Sequence, residues 1–201
     1  IRWLQAISNF RATHTNSPNY AYDLCVKKIT EEQQQTLDLS AWRVALNGAE
    51  PVRAETVRDF YSKFKNVGLA KTTMYPAYGL AEATLVVSAG LPASEPKVLQ
   101  VDAGDLQKGQ VSLSAEAVNS RELVAFGTAL HHTVIAIVDP QTGQMAAKNT
   151  IGEIWVNGPA VAAGYWQNPA ATEETFRAVL AEHPNQFFLR TGDLGFLHEG
   201  L

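Results

Sequence analysis

The spacing of the apolar residues changes near residue 90, and this change limits the possible folds more than any other feature of the chain. Before it, apolar positions at helical spacing, such as Trp3, Ile7 and Phe10, alternate with short apolar runs that predict strands. After it, short apolar runs follow one another, with turn residues between them. These runs are VLQV at 98–101, ELVAF at 122–126, TVIAIV at 133–138, GEIWV at 152–156 and FFLR at 187–190. We therefore predict a partial parallel α/β sheet layer at residues 1–90 and a small, mostly antiparallel β-barrel at residues 91–201.

Local signals place the individual elements. The patterns predict helices near residues 3–10, over 20–29, from Pro51 onward and over about 172–180, strands over 42–47 and 72–75, a loop over 14–19 and a turn at 76–79. Thr30 and Gln33 have the spacing of a capping box, which predicts a helix start.

Composition and charge exclude several classes of function. A net charge of −4, from 16 basic and 20 acidic side chains, gives no basic stripe for nucleic acid. Cys25 is the only cysteine, so we expect a buried core thiol and a reducing, cytoplasmic location. The most apolar stretch, residues 123–138, is shorter than the roughly 20 residues that span a bilayer, so no transmembrane segment is predicted. The chain starts at Ile1 without a leader and stops at Leu201, and we expect both ends to be cut from a longer protein.

Two segments place glycine and reactive side chains where a predicted strand ends, which is where ligands gather in α/β layers. In Asn-Gly-Ala-Glu-Pro at 47–51, Gly48 would let a flat ring approach the backbone, although the segment also suits a plain turn. In Tyr-Pro-Ala-Tyr-Gly-Leu-Ala-Glu at 75–82, Tyr78 could stack on a purine and Glu82 could hold Mg²⁺. A core tyrosine and a solvated glutamate are the alternative.

Two further segments follow in the second part of the chain. Residues 152–166, Gly-Glu-Ile-Trp-Val-Asn-Gly-Pro-Ala-Val-Ala-Ala-Gly-Tyr-Trp, predict a half-buried strand and a glycine-punctuated loop that could cover a nucleotide. Residues 189–194, Leu-Arg-Thr-Gly-Asp-Leu, place Asp193 at a strand end, where its carboxylate could accept both hydroxyls of a ribose. A lone Gly-Asp pair is also common in hairpin turns.

In this order, the four segments resemble the core motifs of the superfamily of acyl-CoA synthetases, peptide-synthetase adenylation domains and luciferases, over essentially the whole chain. Three features further resemble the fatty acyl-AMP ligases. They are Ser-Pro-Asn-Tyr-Ala-Tyr-Asp-Leu-Cys at 17–25, Ala81 where plain CoA ligases generally carry threonine, and extra residues at about 91–118, where these ligases carry an insertion. The resemblance implies an internal fragment of their large N-terminal domain.

The resemblance also implies an activity. A fatty carboxylate would attack the α-phosphate of ATP and release pyrophosphate, and the acyl-adenylate would then pass to the thiol of an acyl carrier protein. The implied cofactors are ATP and Mg²⁺. The implied partners are a fatty acid, an acyl carrier protein and the missing C-terminal domain of the same chain.

Roles for individual residues come from the same resemblance. Gly48, Ala49 and Glu50 would clasp adenine together with Tyr78, and the cofactor-binding residues would also include Gly79, Leu80 and Ala81. Glu82 would be the catalytic residue and the Mg²⁺ ligand, and Asp193 would hold the ribose. The acyl pocket would lie near Pro18, Tyr20, Tyr22 and His14. For His14, a loop-capping role is the alternative.

Two parts of the superfamily pattern are missing from these 201 residues. No Ser/Thr/Gly-rich phosphate loop precedes the first helix, and the C-terminal lysine that the family uses in adenylation is absent. We therefore expect the full-length parent to be the enzyme and the isolated chain to be inactive. The rival functions are an acyl-CoA ligase of the same superfamily and, for the chain alone, a non-catalytic docking module.

Overall fold

The structure, a computed structural model, describes residues 1–114 and 119–200. Residues 115–118, the end of the predicted insertion at 91–118, and Leu201 lie outside the described residues. The chain divides into two compact units. The first unit comprises Ile1–Tyr78, Ala89–Leu99 and Glu122–Gly127, and the second comprises Gly79–Ser88, Gln100–Arg121 and Thr128–Leu201.

Three parallel strands lie side by side in the first unit. They are β1 (His14–Ser17), β2 (Val44–Asn47) and β3 (Met74–Leu80), of which the last two residues belong to the second unit. The helices of the first unit are α1 (Arg2–Asn9), α2 (Asn19–Lys28), α3 (Glu31–Gln35), α4 (Ala54–Phe64) and the 3₁₀ helix η1 (Lys65–Val67). Strand β2 lies between β1 and β3, with Asn47 opposite both Ser17 and Pro76. The predicted parallel α/β layer is confirmed.

An aromatic core packs the helices of the first unit against its strands. Tyr22, Trp42 and Phe60 are at most 2% exposed. The Phe60 ring centroid lies 5.1 Å from that of Tyr22 and 6.1 Å from that of Trp42, both in edge-to-face geometry. Rings of this size supply much of the apolar area that stabilises a core. Cys25 lies in the same core, as predicted, and burial raises the pKa of its thiol.

The helices predicted near residues 3–10 and over 20–29 are present as α1 and α2. The third predicted helix does not open at Pro51, because α4 begins only at Ala54, after the extended N-cap residue Arg53.

The capping box is also confirmed, whereas the loop predicted at 14–19 and the turn predicted at 76–79 are wrong in part. In the capping box, Gln33 N donates to Thr30 Oγ1 and Thr30 N donates to Gln33 Oε1. Residues 14–17, predicted as a loop, form β1, because backbone pairing with β2 stabilises a strand whose side chains are polar. The turn predicted at 76–79 is instead part of β3. Pro76 has no N–H to donate, but its carbonyl accepts a backbone hydrogen bond at 2.9 Å.

The remaining elements lie wholly or partly in the second unit. They are η2 (Ala81–Ala83), β4 (Leu85–Ala89), β5 (Val98–Asp102), α5 (Ala103–Gln107), β6 (Ser120–Val124), β7 (Thr128–Ala129), β8 (Val134–Val138), β9 (Gly152–Asn157), α6 (Pro169–Phe176), β10 (Ala178–Leu180) and β11 (His183–Gly195). Each of the five predicted apolar runs lies wholly or mostly in a strand, with residues 125–126 and Thr133 outside β6 and β8. The helix predicted over 172–180 ends earlier, at Phe176, because the chain then enters β10 and pairs with β11.

The second unit is built on an antiparallel sheet with the strand order β10-β11-β9-β8. Its core contains Trp155, Leu180 and Phe188, which are at most 6% exposed. In this order β10 and β8 are the two edges, so closure into a barrel stays a prediction. Among the residues that the structure describes, no helix is long and apolar enough to cross a bilayer.

Candidate functional site

The carboxyl edge of the parallel strands gathers most of the residues that were predicted for the first unit. Because Asn47 lies opposite Ser17 and Pro76, the segments that follow β1 and β2 and the last residues of β3 begin at the same edge. These segments carry Pro18, Tyr20, Gly48, Ala49, Glu50 and Tyr78. His14 lies elsewhere, since it begins β1 opposite Val44, about 10 Å upstream at roughly 3.3 Å per residue. Its ring shares a hydrogen bond with Thr13 Oγ1 at 2.9 Å.

The turn after β2 has a backbone that few residues can adopt. A Cβ on Gly48 would lie 2.6 Å from the carbonyl oxygen of Ala77, so the chain passes β3 too closely for any side chain there. Ala49 has a left-handed φ of 65°. Glu50 Oε1 accepts a short hydrogen bond from Tyr20 N, at the start of α2. The carboxylate thereby ties the turn after β2 to the segment after β1 and caps a helix N-terminus.

A buried amide network lies directly behind this edge. Asn47 and Asn19 are at most 3% exposed, and Asn47 Nδ2 donates to Asn19 Oδ1 at 3.3 Å. Asn19 Oδ1 also accepts from Arg53 N at 3.2 Å, and Asn19 Nδ2 donates to Thr56 Oγ1 at 3.2 Å. Asn47 Oδ1 has no hydrogen-bond partner within the described part of the chain. Buried amides that share partners fix one another's orientation, so this network holds the two edge segments in register.

The three tyrosines predicted for the site have different environments. Tyr20 is 61% exposed, and Tyr78 is half-buried with its ring 6.2 Å from that of Phe126. Tyr22 has no exposed surface, and its hydroxyl donates to the Leu46 carbonyl at 2.8 Å. Burial raises the pKa of Tyr22 far above its usual range. The structure therefore places Tyr22 inside the aromatic core and leaves Tyr20 and Tyr78 accessible.

In the second unit, the segment from Gly79 to Glu82 ends β3 and enters η2. A Cβ on Gly79 would lie 1.5 Å from the Leu85 carbonyl oxygen, so only glycine allows this crossing. Leu80 is half-buried and Ala81 is exposed. Past the site residues, Thr84 and Leu85 both have left-handed φ angles, 52° and 76°.

Three hydrogen bonds join this segment to the loop that follows β9. Tyr165 Oη donates to Glu82 Oε1 at 2.7 Å, and Ala162 N donates to the Glu82 carbonyl at 2.8 Å. Thr84 Oγ1 donates to the Ala160 carbonyl at 2.6 Å. The hydrogen bond to the Glu82 carboxylate raises the pKa of Tyr165. The structure thus brings the second and third sequence motifs together around the Glu82 side chain.

A buried carboxylate shapes the turn that carries Asp193. Glu153, 5% exposed, accepts hydrogen bonds from Trp155 Nε1 at 2.9 Å, Arg190 Nη2 at 3.1 Å and Gly192 N at 3.1 Å. Burial alone would raise the pKa of Glu153, but these hydrogen bonds outweigh it and hold the pKa below its usual value. The pairing of β11 with β9 is irregular between Arg190 and Leu194, and exposed Asp193 lies on this bulge.

Metal binding in this chain would rest on few protein ligands. Among the described residues, no group of three or more His, Cys, Asp or Glu side chains is arranged to hold an ion. Glu82 offers one half-buried carboxylate whose Oε2 makes no hydrogen bond within the described part of the chain. This donor set fits Mg²⁺, which takes one or two carboxylates and completes its shell with phosphate and water. It does not fit a structural zinc.

Three residues that contact the candidate site segments were missed by the sequence reasoning. Asn19 and Glu153 are buried polar residues whose side chains are hydrogen-bonded, and Tyr165 lies in the glycine-containing loop after β9. For Glu153 a signal existed, because a charged residue in the short strand Gly-Glu-Ile-Trp-Val must find partners if it is buried. For Asn19 and Tyr165 the partners come from distant segments, which no local pattern shows.

Comparison with known proteins finds relatives whose sequences align with the whole of this chain. The medium-chain-fatty-acid–[acyl-carrier-protein] ligase JamA of Moorena producens is 45% identical over 100% of this chain and 34% of its own length. The ligase TtuA of Teredinibacter turnerae, with the same activity in its name, is 40% identical over 100% of this chain and 32% of its own length. The chain thus spans about a third of the length of these curated relatives.

A solved structure agrees with the sequence relatives. The fatty acyl-adenylate ligase of L. pneumophila, crystallised with acyl adenylate and pyrophosphate, has a TM-score of 0.93 and 44% identity over 99% of this chain and 35% of its own. The fold is therefore that of the N-terminal domain of adenylate-forming enzymes. The AMP-binding enzyme family matches residues 1–166, more than four fifths of the sequence, and the chain belongs to this family.

Proposed function

We propose that the chain is part of a fatty acyl-AMP ligase, which activates a fatty acid with ATP and passes the acyl group to an acyl carrier protein. One observation carries the proposal: the fold agrees at a TM-score of 0.93 with a fatty acyl-adenylate ligase that holds its acyl adenylate and pyrophosphate. JamA and TtuA, both named as ligases of a medium-chain fatty acid and an acyl carrier protein, support the same substrate class.

The first step joins the fatty carboxylate to AMP. A carboxylate oxygen attacks the α-phosphorus of ATP, and the bond from that phosphorus to the pyrophosphate oxygen breaks. In-line displacement of this kind depends on position and charge neutralisation rather than on a covalent protein intermediate. In the second step the carrier thiol attacks the acyl carbon, and AMP leaves.

Adenine would bind at the carboxyl edge of the parallel strands. Gly48 leaves the backbone open to a flat ring, Ala49 and Glu50 continue the same turn, and the half-buried Tyr78 offers a ring face. Stacking on an aromatic ring contributes about 1–3 kcal/mol by analogy with nucleic-acid bases. The short hydrogen bond from Tyr20 N to Glu50 supports the shape of this turn.

Glu82 and Asp193 would act on the phosphates and the ribose. Asp193 is exposed on the bulge of β11, where its carboxylate could accept both ribose hydroxyls. Glu82 would hold Mg²⁺ next to Gly79, Leu80 and Ala81, which would contact the phosphates through the backbone. When bound, the ion would neutralise charge on the phosphate oxygens.

The acyl chain would lie near Pro18 and Tyr20, which are exposed next to the edge of β1. Tyr22 and His14 have weaker support, because Tyr22 has no exposed surface and His14 stands at the other end of β1. We further propose the division at residues 1–90 and 91–201, an insertion at about 91–118, closure of the strands of the second part into a barrel in the parent, and a cytoplasmic location.

The experiment uses the full-length parent with ATP, Mg²⁺ and a medium-chain fatty acid. We expect acyl-adenylate and pyrophosphate, followed by acyl transfer to an acyl carrier protein and not to CoA. Mass spectrometry of the carrier and of CoA thioesters measures the two products side by side. Efficient acyl-CoA formation would instead assign the parent to the acyl-CoA ligases.

The isolated 201 residues provide a second test. We expect them to release no pyrophosphate above a heat-killed control, because the phosphate loop and the C-terminal lysine are not among them. Calorimetry with ATP and a non-hydrolysable acyl-adenylate analogue then separates a nucleotide-binding module from a docking module. Heat with either ligand supports the nucleotide site, whereas no heat with both supports docking alone.

A further inference from the structure

Two contacts with α6 position Tyr165 independently of its hydrogen bond to Glu82. Its ring packs edge-to-face on Phe176, with centroids 5.1 Å apart, and Tyr165 N donates to Thr172 Oγ1 at 2.9 Å. Both partners belong to α6, so the helix fixes the ring and the backbone of Tyr165. A Cβ on Gly164 would lie 2.3 Å from Thr172 Cγ2, which shows how closely the loop meets the helix. Contacts other than the hydrogen bond to Glu82 therefore help to position the hydroxyl.

Glu82 is in turn held at two points. Its backbone carbonyl accepts from Ala162 N at 2.8 Å, and its Oε1 accepts from Tyr165 Oη at 2.7 Å. A carboxylate has two oxygens with about four acceptor positions, so one donor on Oε1 leaves Oε2 able to bind a cation. Hydrogen bonds that orient a ligating carboxylate typically change metal affinity 10- to 100-fold when they are removed.

We propose that Tyr165 is a positioning residue that orients the Glu82 carboxylate for the Mg²⁺ of MgATP. The proposal rests on the proposed function, in which Glu82 is the magnesium ligand. It explains why an exposed tyrosine hydroxyl, on a loop 83 residues along the chain, ends on this side chain. Tyr165 touches neither the metal nor the reacting atoms, and it acts through Glu82.

The test compares Tyr165→Phe with Thr84→Val in the full-length parent. Tyr165→Phe keeps the ring on Phe176 and removes only the hydroxyl. Thr84→Val removes the neighbouring hydrogen bond to Ala160 between the same two segments, keeps the branched side chain and leaves the Glu82 carboxylate untouched. Glu82→Gln and the double variant complete a double-mutant cycle.

Two measurements are made on each variant. Electron paramagnetic resonance counts Mn²⁺ bound in the complex with α,β-methylene-ATP, which reports metal binding without turnover. The Mg²⁺ concentration for half-maximal acyl-adenylate formation reports the same site during the reaction. We expect Tyr165→Phe to weaken both by roughly 10-fold, Thr84→Val to stay near the parent, and Tyr165→Phe to add no further loss to Glu82→Gln.

The outcomes separate the inference from the function on which it rests. Glu82→Gln with unchanged Mn²⁺ binding would show that Glu82 is not the metal ligand. That result would overturn the role of Glu82 in the proposed function and the positioning role of Tyr165 together. A defective Glu82→Gln with a normal Tyr165→Phe would overturn only the role of Tyr165. Equal losses in Tyr165→Phe and Thr84→Val would show that docking of the loop matters rather than the phenol, which would also overturn the role of Tyr165.

Discussion

The turn after β2 and the bulge of β11 place their candidate residues by different means. At β2, the residues are positioned by parallel pairing and by a close approach of the backbone to β3, where a Cβ on Gly48 would lie only 2.6 Å from the Ala77 carbonyl oxygen. At β11, the pairing is irregular, and the buried carboxylate of Glu153 receives donors from Trp155, Arg190 and Gly192. The turn after β2 therefore requires a residue without a Cβ at position 48, whereas the bulge of β11 requires the negative charge of Glu153.

This difference predicts different weaknesses. The turn after β2 should be damaged by any added volume, whatever its polarity. The bulge of β11 should instead be damaged by loss of charge on Glu153, even when volume is preserved. All of the following variants are made in the full-length parent.

The largest effect is expected for Gly48→Ala. The new methyl group would meet the Ala77 carbonyl, and relief of that clash should cost about 3 kcal/mol of unfolding free energy. Gly90→Ala is the matched control, because its nearest contact would be an ordinary 3.6 Å from the Tyr75 ring. Urea unfolding midpoints measure both. Equal midpoints for the two variants would show that the turn can move away from β3.

Asp193→Ala should weaken ATP use with little change in stability, because the side chain is exposed on the bulge. Loss of charged hydrogen bonds to ribose costs about 1.5–3 kcal/mol each, or roughly 10- to 150-fold in affinity. The KM for ATP and the unfolding midpoint are measured together. An unchanged KM would remove Asp193 from the nucleotide site, and a large shift in the midpoint would make it a structural residue.

Glu153→Gln should cost about 1.5 kcal/mol of stability, because one accepting oxygen is replaced by an NH2 group that faces a donor and the remaining hydrogen bonds lose their charge. Partial exposure of Arg190, whose side chain is 39% accessible, keeps the cost below that of a fully buried ion pair. Asp193 should also become less well placed, which raises the KM for ATP. A stable variant with normal ATP use would show that the bulge holds its shape without Glu153.

The same substitution gives a pH test. The folded pKa of Glu153 is lowered, so its charge stabilises the fold fully above the unfolded value of about 4.3 and loses this contribution as the pH falls through the folded pKa. The difference in stability between the parent and Glu153→Gln should therefore be constant near neutral pH and shrink below about pH 4. A difference that does not depend on pH would mean that the carboxylate is not the stabilising form.

The smallest effect is expected for Tyr22→Phe, which removes the hydroxyl bonded to the Leu46 carbonyl. The loss should be about 1 kcal/mol of stability. Because Tyr22 has no exposed surface, the KM for the fatty acid should not change. A higher KM would return Tyr22 to the acyl pocket.

Sequence periodicity was sufficient where burial decides the structure. The apolar runs at 98–101, 134–138 and 152–156 lie in strands. Tyr22 and Phe60 lie on helices whose apolar faces are buried in the core of the first unit. Periodicity failed for β1, whose polar side chains alternate without an apolar face. That strand is stabilised by its hydrogen bonds to β2, and partner strands are not visible in a local pattern.

The candidate site was predictable to a similar extent. The motifs predicted functional roles for the carboxylates of Glu82 and Asp193, which stay predictions. They also singled out Gly48, where the structure shows a close backbone approach to Ala77. They did not show that Tyr165 binds Glu82 or that Glu153 shapes the bulge, since both contacts join segments at least 37 residues apart.

Cys25 gives this fold a built-in reporter of local opening. Its thiol is 8% exposed within the aromatic core, and burial raises its pKa, so a thiol reagent reacts with it only when this core opens locally. The same helix begins at the segment that Glu50 caps. The labelling rate of Cys25 therefore records how often the core around α2 opens, and under the proposed function a nucleotide bound next to this helix should slow the labelling.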